Sequence, residues 1–278
     1  EDFKAAYDDL PEVQPEVGRA GKYAAAAYLA KTYLYKGFRQ DEKHNMIGVD
    51  ADDMRQVVEY TGKVIGSQFH LEPDFANNFL PGSYENGPES IFAIQHSTGD
   101  GTLYGRLNFS DVLNVPMTIT GACDFQKPSQ NLVNAFKTEN GLPMFNTYNN
   151  SDFNAASDKA DPRLFHTVAI VGYPYKYDYR VFGTDWSRNP GVYGYYSSLK
   201  ENVNPDDPSS VLIDPFRGNS KNKIVIRYAD VLLMRAEALI ELNRESEALP
   251  LINEVRQRAK DSMGKIPYVN EVADITLY

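Results

Sequence analysis

Arg227–Leu242 reads RYADVLLMRAEALIEL, and Glu247–Ala259 reads EALPLINEVRQRA. In the first stretch Ala229, Leu232, Leu233, Ala236, Leu239 and Ile240 recur at the three- and four-residue steps that place them on one stripe of a helix. This predicts a helix over about Tyr228–Leu242. In the second, Ala248, Leu251, Ile252 and Val255 share a face, predicting a helix over about Ser246–Ala259. Pro250 removes a backbone donor, which is tolerated in a first helical turn, so it is expected near that turn.

A similar pair stands near the other end. Gly18–Lys36 (GRAGKYAAAAYLAKTYLYK) places Ala26, Leu29, Ala30, Tyr33 and Leu34 on one face, and its alanine run lets a neighbouring helix come close. A further helix is expected over about Asp52–Ile65, with Asp52 as N-cap and Gly66 as stop. Ala236, Leu239, Ala248, Ile252 and Val255 alternate small and large as in tetratricopeptide hairpins, and Leu29, Ala30, Tyr33 and Gly37 repeat the first half of that pattern. A generic helical hairpin is the plainer alternative. The expected fold is mainly α: one domain over 1–278, with a helical scaffold at about 15–66 and 227–262. The two hairpins clasp each other and hold out a loop-rich insertion, about 67–226, containing short strands.

Within the insertion Ser90–His96 (SIFAIQH) reads as a strand, and strands are expected around Leu164–Val171 and Tyr193–Leu199. Tyr is abundant, at 19 residues, and Tyr173, Tyr175, Tyr177 and Tyr179 alternate. On an extended strand they would share one face, opposite Lys176, Asp178 and Arg180. Such a face is either buried against another layer or offered to a flat ligand. Trp186 is the only tryptophan and lies in a polar loop, GTDWSRNPG, beside Arg188. Tyr104 ends a glycine-rich turn, TGDGTLYG. From composition and loop context Trp186, Tyr175, Tyr177, Tyr104 and Arg188 are the candidate ligand contacts.

The 278 residues carry a net charge of −10, which argues against a nucleic-acid groove needing a basic patch. One cysteine, Cys123, excludes an internal disulfide and a cysteine-based metal cluster. No apolar run is long enough to span a bilayer. Neither end has the features of a signal peptide or a terminating element, so a chain cut at both ends is expected. His44, His70, His96 and His166 lack metal-ligand spacing, and no GxSxG or Walker-type loop is present. No catalytic residue, metal or cofactor is therefore expected. Carboxylates are plentiful in the insertion, but no paired-acid motif marks a glycosidase.

In order along the chain come Arg19–Tyr35, KVIGSQFHL (Lys63–Leu71), FANNF (Phe75–Phe79), PESIFAIQ (Pro88–Gln95), DPRL (Asp161–Leu164), and the two stretches quoted first. Together they resemble the SusD/RagB family of outer-membrane nutrient-binding lipoproteins of Bacteroidetes, over about Gly18–Lys260. The resemblance implies a helical repeat scaffold packed against a SusC-type TonB-dependent transporter, and a loop-rich remainder that binds a glycan or other nutrient at the cell surface without catalysis. It also implies a lipid anchor on an N-terminal cysteine, which this chain lacks, Cys123 being internal. A neutral sugar suits the acidic chain better than a polyanion. A tetratricopeptide-type interaction scaffold and a glycoside hydrolase are the competing readings.

Overall fold

The structure, a computed structural model, describes residues 1–116, 122–178, 180–214 and 216–278. The N-terminal part comprises helices α1 (Asp2–Asp9), α2 (Lys22–Gly37) and α3 (Ala51–Ile65). An antiparallel hairpin, Phe38–Gln40 with Met46–Val49, joins α2 to α3. Among the described residues the insertion is punctuated by short α-helices: α4 (Gln130–Asn134), α5 (Arg163–Thr167) and α6 (Pro190–Tyr193). The long pair α7 (Tyr228–Glu241) and α8 (Glu245–Asp261) follows.

The two hairpins clasp each other. Ala26, Ala27 and Ala30 of α2, Met54, Val57 and Val64 of α3, Val231 and Leu232 of α7, and Val255 of α8 belong to one apolar cluster. The small alanines of α2 leave room in the seam for the larger side chains of α3 and α7. Arg235 of α7 also donates to the Val58 carbonyl of α3. A smaller cluster of Ala236, Leu239 and Ala248 joins α7 to α8.

Details at the helix ends differ from expectation. Asp50, not Asp52, caps α3: its Oδ1 accepts the N–H groups of Asp52 and Asp53, each at 3.0 Å. The Arg39 guanidinium, assisted by the Asp53 N–H, holds the Asp50 carboxyl down at about 2. Pro250 lies inside α8, beyond its first turn, because the helix starts at Glu245. The acidic N-terminal stretch forms α1, where Tyr7 meets Tyr60 edge-on at 5.5 Å. That tertiary contact gives a polar segment a reason to be helical.

The insertion is stitched to the scaffold at its neck. Ser90–Ile94 pairs antiparallel with Lys223–Arg227, which runs straight into α7. Glu89, fully buried, sits at the start of this ladder. Its carboxylate accepts from Arg227 at 2.8 Å, Arg258 at 2.5 Å, the Glu72 N–H at 2.9 Å and Asn78 at 3.0 Å. Burial opposes its charge, yet Arg258 and Arg227 outweigh burial and keep the carboxyl below its ordinary value.

A second core holds the insertion together: Val133, Phe153, Leu164, Phe165 and Val168, closed by Ile266 and Val269 from beyond α8. The first half of the expected strand at Leu164–Val171 is α5. Asp161 accepts the Arg163 N–H at 2.9 Å and its guanidinium as well, which winds the chain into a turn. Only Val168–Ala169 is extended, paired with Ser197–Ser198.

His166 of α5 is locked in this region. Its Nε2 lies 2.9 Å from the Ser262 carbonyl oxygen, which can only accept, so Nε2 carries the proton and Nδ1 accepts from the Tyr177 hydroxyl at 3.2 Å. Burial, reinforced by Lys176 and Arg258, lowers its pKa against the Ser262 bond and Asp74. The unfolded ring binds a proton more readily than the folded one. Stability contributed by His166 is therefore complete above about pH 6.5 and declines as pH falls below it, by up to about 1.4 kcal/mol per pH unit. Urea unfolding at pH 7.5 and 5.0 should show this loss in the natural chain and a smaller one in His166→Gln. Equal pH dependence in both would remove His166 from the account.

Candidate functional site

Tyrosines crowd the loop around α6. Asn189, before α6, takes a left-handed conformation (φ 44°), and Gly194, just after it, has φ 78°. Pro190 fixes the first helical position between these bends. The chain therefore folds back twice within six residues and pushes Tyr193 and Tyr195 outward, 58% and 46% exposed. Tyr196 turns in and donates its hydroxyl to Gln130 Oε1 at 3.1 Å. Burial raises this phenol's pKa, so it remains a neutral donor. Gln130 opens α4, whose N-cap Ser129 accepts the Leu132 N–H at 3.1 Å.

These elements enclose a cavity of about 370 Å³ lined by Pro128, Ser129, Gln130, Ile170, Val171, Thr184, Tyr193, Gly194, Tyr195 and Tyr196. The lining holds three phenol rings, two hydroxyls and one primary amide, with no carboxylate, amine or guanidinium. Such a surface combines flat apolar faces with uncharged hydrogen-bonding groups. Among the described residues no group of three or more His, Cys, Asp or Glu is placed to hold a metal.

The sequence candidates fare differently. Trp186 is 8% exposed and Tyr175 is 0% exposed. They pack with Phe182, Leu199 and Ala169 in a small core, the indole centroid 5.3 Å from Phe182 and 5.6 Å from Tyr175. Neither ring is free to stack on a ligand, so both assignments are corrected. The polar loop around Trp186 winds into a 3₁₀ turn, Thr184–Trp186, and the indole packs inward among these core residues. Asn202 donates to the Tyr175 hydroxyl at 2.9 Å, which makes burial of that phenol tolerable.

The alternating ladder is not a strand. Lys176 and Tyr177 both have positive φ, 46° and 77°, so the chain turns and the rings diverge. Tyr173 packs on Phe165, with ring centroids 5.2 Å apart. Tyr177 is half-buried, its hydroxyl committed to His166, and Tyr179 lies outside the described residues. Tyr104 is exposed but stands on the separate Ser97–Arg106 turn, where Asp100 accepts the Ser97 and Thr102 hydroxyls at 2.6 Å. Arg188 is exposed and lies over the Phe125 ring, 5.2 Å from its centroid.

Sequence reasoning does not single out the tyrosines of the cavity. The signal that finds them is the bracketing of aromatics by turn formers, NPGVYGYY (Asn189–Tyr196). Gln130 and Phe125 carry no comparable signal.

Comparison with known proteins bears on this architecture. The model of the SusD family matches residues 88–267. SusD-like protein P2 of Formosa agariphila is 28% identical over 284 residues, covering 97% of this chain and 47% of that protein. A SusD-like carbohydrate binding protein of Bacteroides fragilis has a TM-score of 0.68 at 22% identity, over 93% of this chain and 48% of the other. A structure solved with a xylogluco-oligosaccharide gives a TM-score of 0.60 at 24% identity, over 93% and 48%. The chain thus spans about half the length of the relatives it matches. No helix among the described residues is long and apolar enough to cross a membrane. With the paired hairpins, the strand-bearing insertion and the match over residues 88–267, the chain belongs to the SusD family.

Proposed function

We propose that this chain binds glycan without catalysis, at the bacterial outer surface, as part of an uptake system whose other member is a SusC-like TonB-dependent transporter. In this reading residues 1–278 act as one domain, and a lipid anchor holds the protein to the outer membrane. The tyrosine-lined cavity carries the reading. Tyr193 and Tyr195 offer ring faces to the C–H face of a sugar, while Gln130, Ser129, Thr184 and the Tyr196 hydroxyl hydrogen-bond its hydroxyls. The family and the carbohydrate-related names of two neighbours support this class of ligand.

Hydrolysis would need two carboxyl groups flanking the bond to be cut. The cavity wall carries none, which favours binding over cleavage.

Titration calorimetry against a panel of oligosaccharides tests the proposal. Tyr195→Ala is expected to weaken binding of the best ligand about tenfold while changing stability by less than about 1 kcal/mol, since the ring is half exposed. Undiminished affinity in Tyr195→Ala and Tyr193→Ala would remove the cavity from the reading. Release of reducing ends from a bound polysaccharide would replace binding by hydrolysis.

A further inference from the structure

Beside the cavity lies an exposed cation that has no carboxylate partner among the described residues. Arg39, Arg163, Arg227 and Arg258 are each ion-paired with a carboxylate. Arg188 is not. Its Nη1 reaches the Cys123 carbonyl oxygen at 3.4 Å, and among the described residues no carboxylate lies within salt-bridge reach of its guanidinium. Asp124, the nearest acid along this contact, faces elsewhere: it accepts the Arg188 backbone N–H at 2.6 Å and the Lys127 ammonium at 2.7 Å.

The arginine is also held in place. Phe125, half exposed, lies under the guanidinium, its ring centroid 5.2 Å from Cζ. Asp124 and Gln126, on either side of Phe125, both have left-handed backbones, φ 53° and 52°, which turn the ring outward. A guanidinium lying on an aromatic face keeps its edge of N–H donors available, and that edge matches the paired oxygens of a carboxylate or sulfate.

This platform is built from the same two segments as the cavity. Lys127 donates to Ser187 Oγ at 3.2 Å, and Ser187 Oγ donates to the Tyr195 carbonyl at 3.1 Å. Arg188 follows Ser187, and Pro128–Gln130 of the cavity wall follows Lys127. The net charge of −10 does not oppose such a site, because charges farther than about 8 Å are largely screened at physiological salt.

We infer that Arg188, lying over the Phe125 ring, is an anion-accepting subsite next to the tyrosine cavity, so that the preferred glycan carries carboxylate or sulfate groups beside an uncharged sugar unit. This refines the expectation of a neutral ligand drawn from net charge, and it rests on the reading of the cavity as a sugar site.

Affinity electrophoresis of the full chain in gels containing polygalacturonate, a sulfated galactan or a neutral β-glucan tests it, with Arg188→Gln, Arg188→Lys and Tyr195→Ala alongside. The natural chain should be retarded by an acidic polymer, and which one identifies carboxylate or sulfate as the anion. Arg188→Gln should weaken that binding roughly fivefold and flatten its salt dependence, with Arg188→Lys intermediate. Neutral-polymer binding should fall by less in Arg188→Gln than acidic binding does. Acidic binding undiminished in Arg188→Gln, or retardation by the neutral polymer alone, overturns the subsite and leaves the cavity reading standing. If Arg188→Gln weakens acidic binding while Tyr195→Ala does not, the subsite survives and the cavity reading falls. Retardation by none of the polymers overturns both.

Discussion

Replacing Glu89 by Gln should lower the free energy of unfolding by about 3–5 kcal/mol, the range seen when one partner of a buried ion pair is removed. The carboxylate is fully buried, and the Arg258 side chain that faces it is only 6% exposed. Glutamine preserves the shape but offers one acceptor oxygen in place of a charge shared by two guanidinium groups and two N–H donors. Arg258, which also lies 5.1 Å from the Phe75 ring centroid, would then be a buried cation with no anion. The site matters beyond its local bonds because it knots four elements: the strand at Ser90, the FANNF turn, the start of α7 and the end of α8. Its backbone carbonyl adds a bond from the Tyr228 N–H at 2.9 Å.

The acid dependence has a definite sign. The folded carboxyl has the lower pKa, so its stabilisation is present above the unfolded value near 4.3 and is lost as pH falls through the folded value. Urea unfolding followed by circular dichroism measures the first effect. The double variant Glu89→Leu, Arg258→Met should lose less than Glu89→Leu alone, because it removes the orphaned cation with its partner. A loss below about 1 kcal/mol for Glu89→Gln would mean the neck is not held by this network.

Sequence patterning located the scaffold because its information is periodic. The stripe Ala229–Ile240 falls on α7, where Ala229, Leu232, Ala236 and Leu239 are buried while Leu233 and Ile240, at its margin, are exposed. The alanine run made α2 legible for the same reason. Asp50 and Asp52 are both acceptable N-caps, and only the turn geometry chooses between them. Burial of Glu89 and its two arginine partners, distant in sequence at 227 and 258, has no local signature. The tyrosine ladder shows why period-two patterns mislead: alternation means a shared face only if the backbone is extended. Here two non-glycine residues, Lys176 and Tyr177, adopt positive φ and scatter the rings. Tyr175 then joins one core and Tyr177 the other. The polar surroundings of Trp186 suggested exposure, yet a short 3₁₀ turn is enough to bury one side chain while its neighbours stay in water.

That burial sets the second large effect. Trp186→Ala should destabilise the chain by about 3–5 kcal/mol, as expected when a large aromatic is deleted from a packed core. The indole touches Phe182 and Tyr175, both fully buried, and its neighbour Ser187 donates to the Tyr195 carbonyl in the loop from which Tyr193 and Tyr195 project. The cavity left behind cannot fill easily, because Tyr175 is fixed by Asn202 at 2.9 Å and the Phe182 backbone is bonded to Tyr173 and Gly172. Sugar binding would fall too, but through loss of the platform rather than loss of a stacking face. Phe182→Ala, which never reaches the surface, should therefore reproduce both losses, whereas Tyr195→Ala should weaken binding with stability nearly intact. Thermal unfolding and calorimetric titration on the three variants separate these roles. A Trp186→Ala protein as stable as the natural chain, yet unable to bind, would show the indole to be a ligand contact after all and would return the site to the loop where the sequence first suggested it.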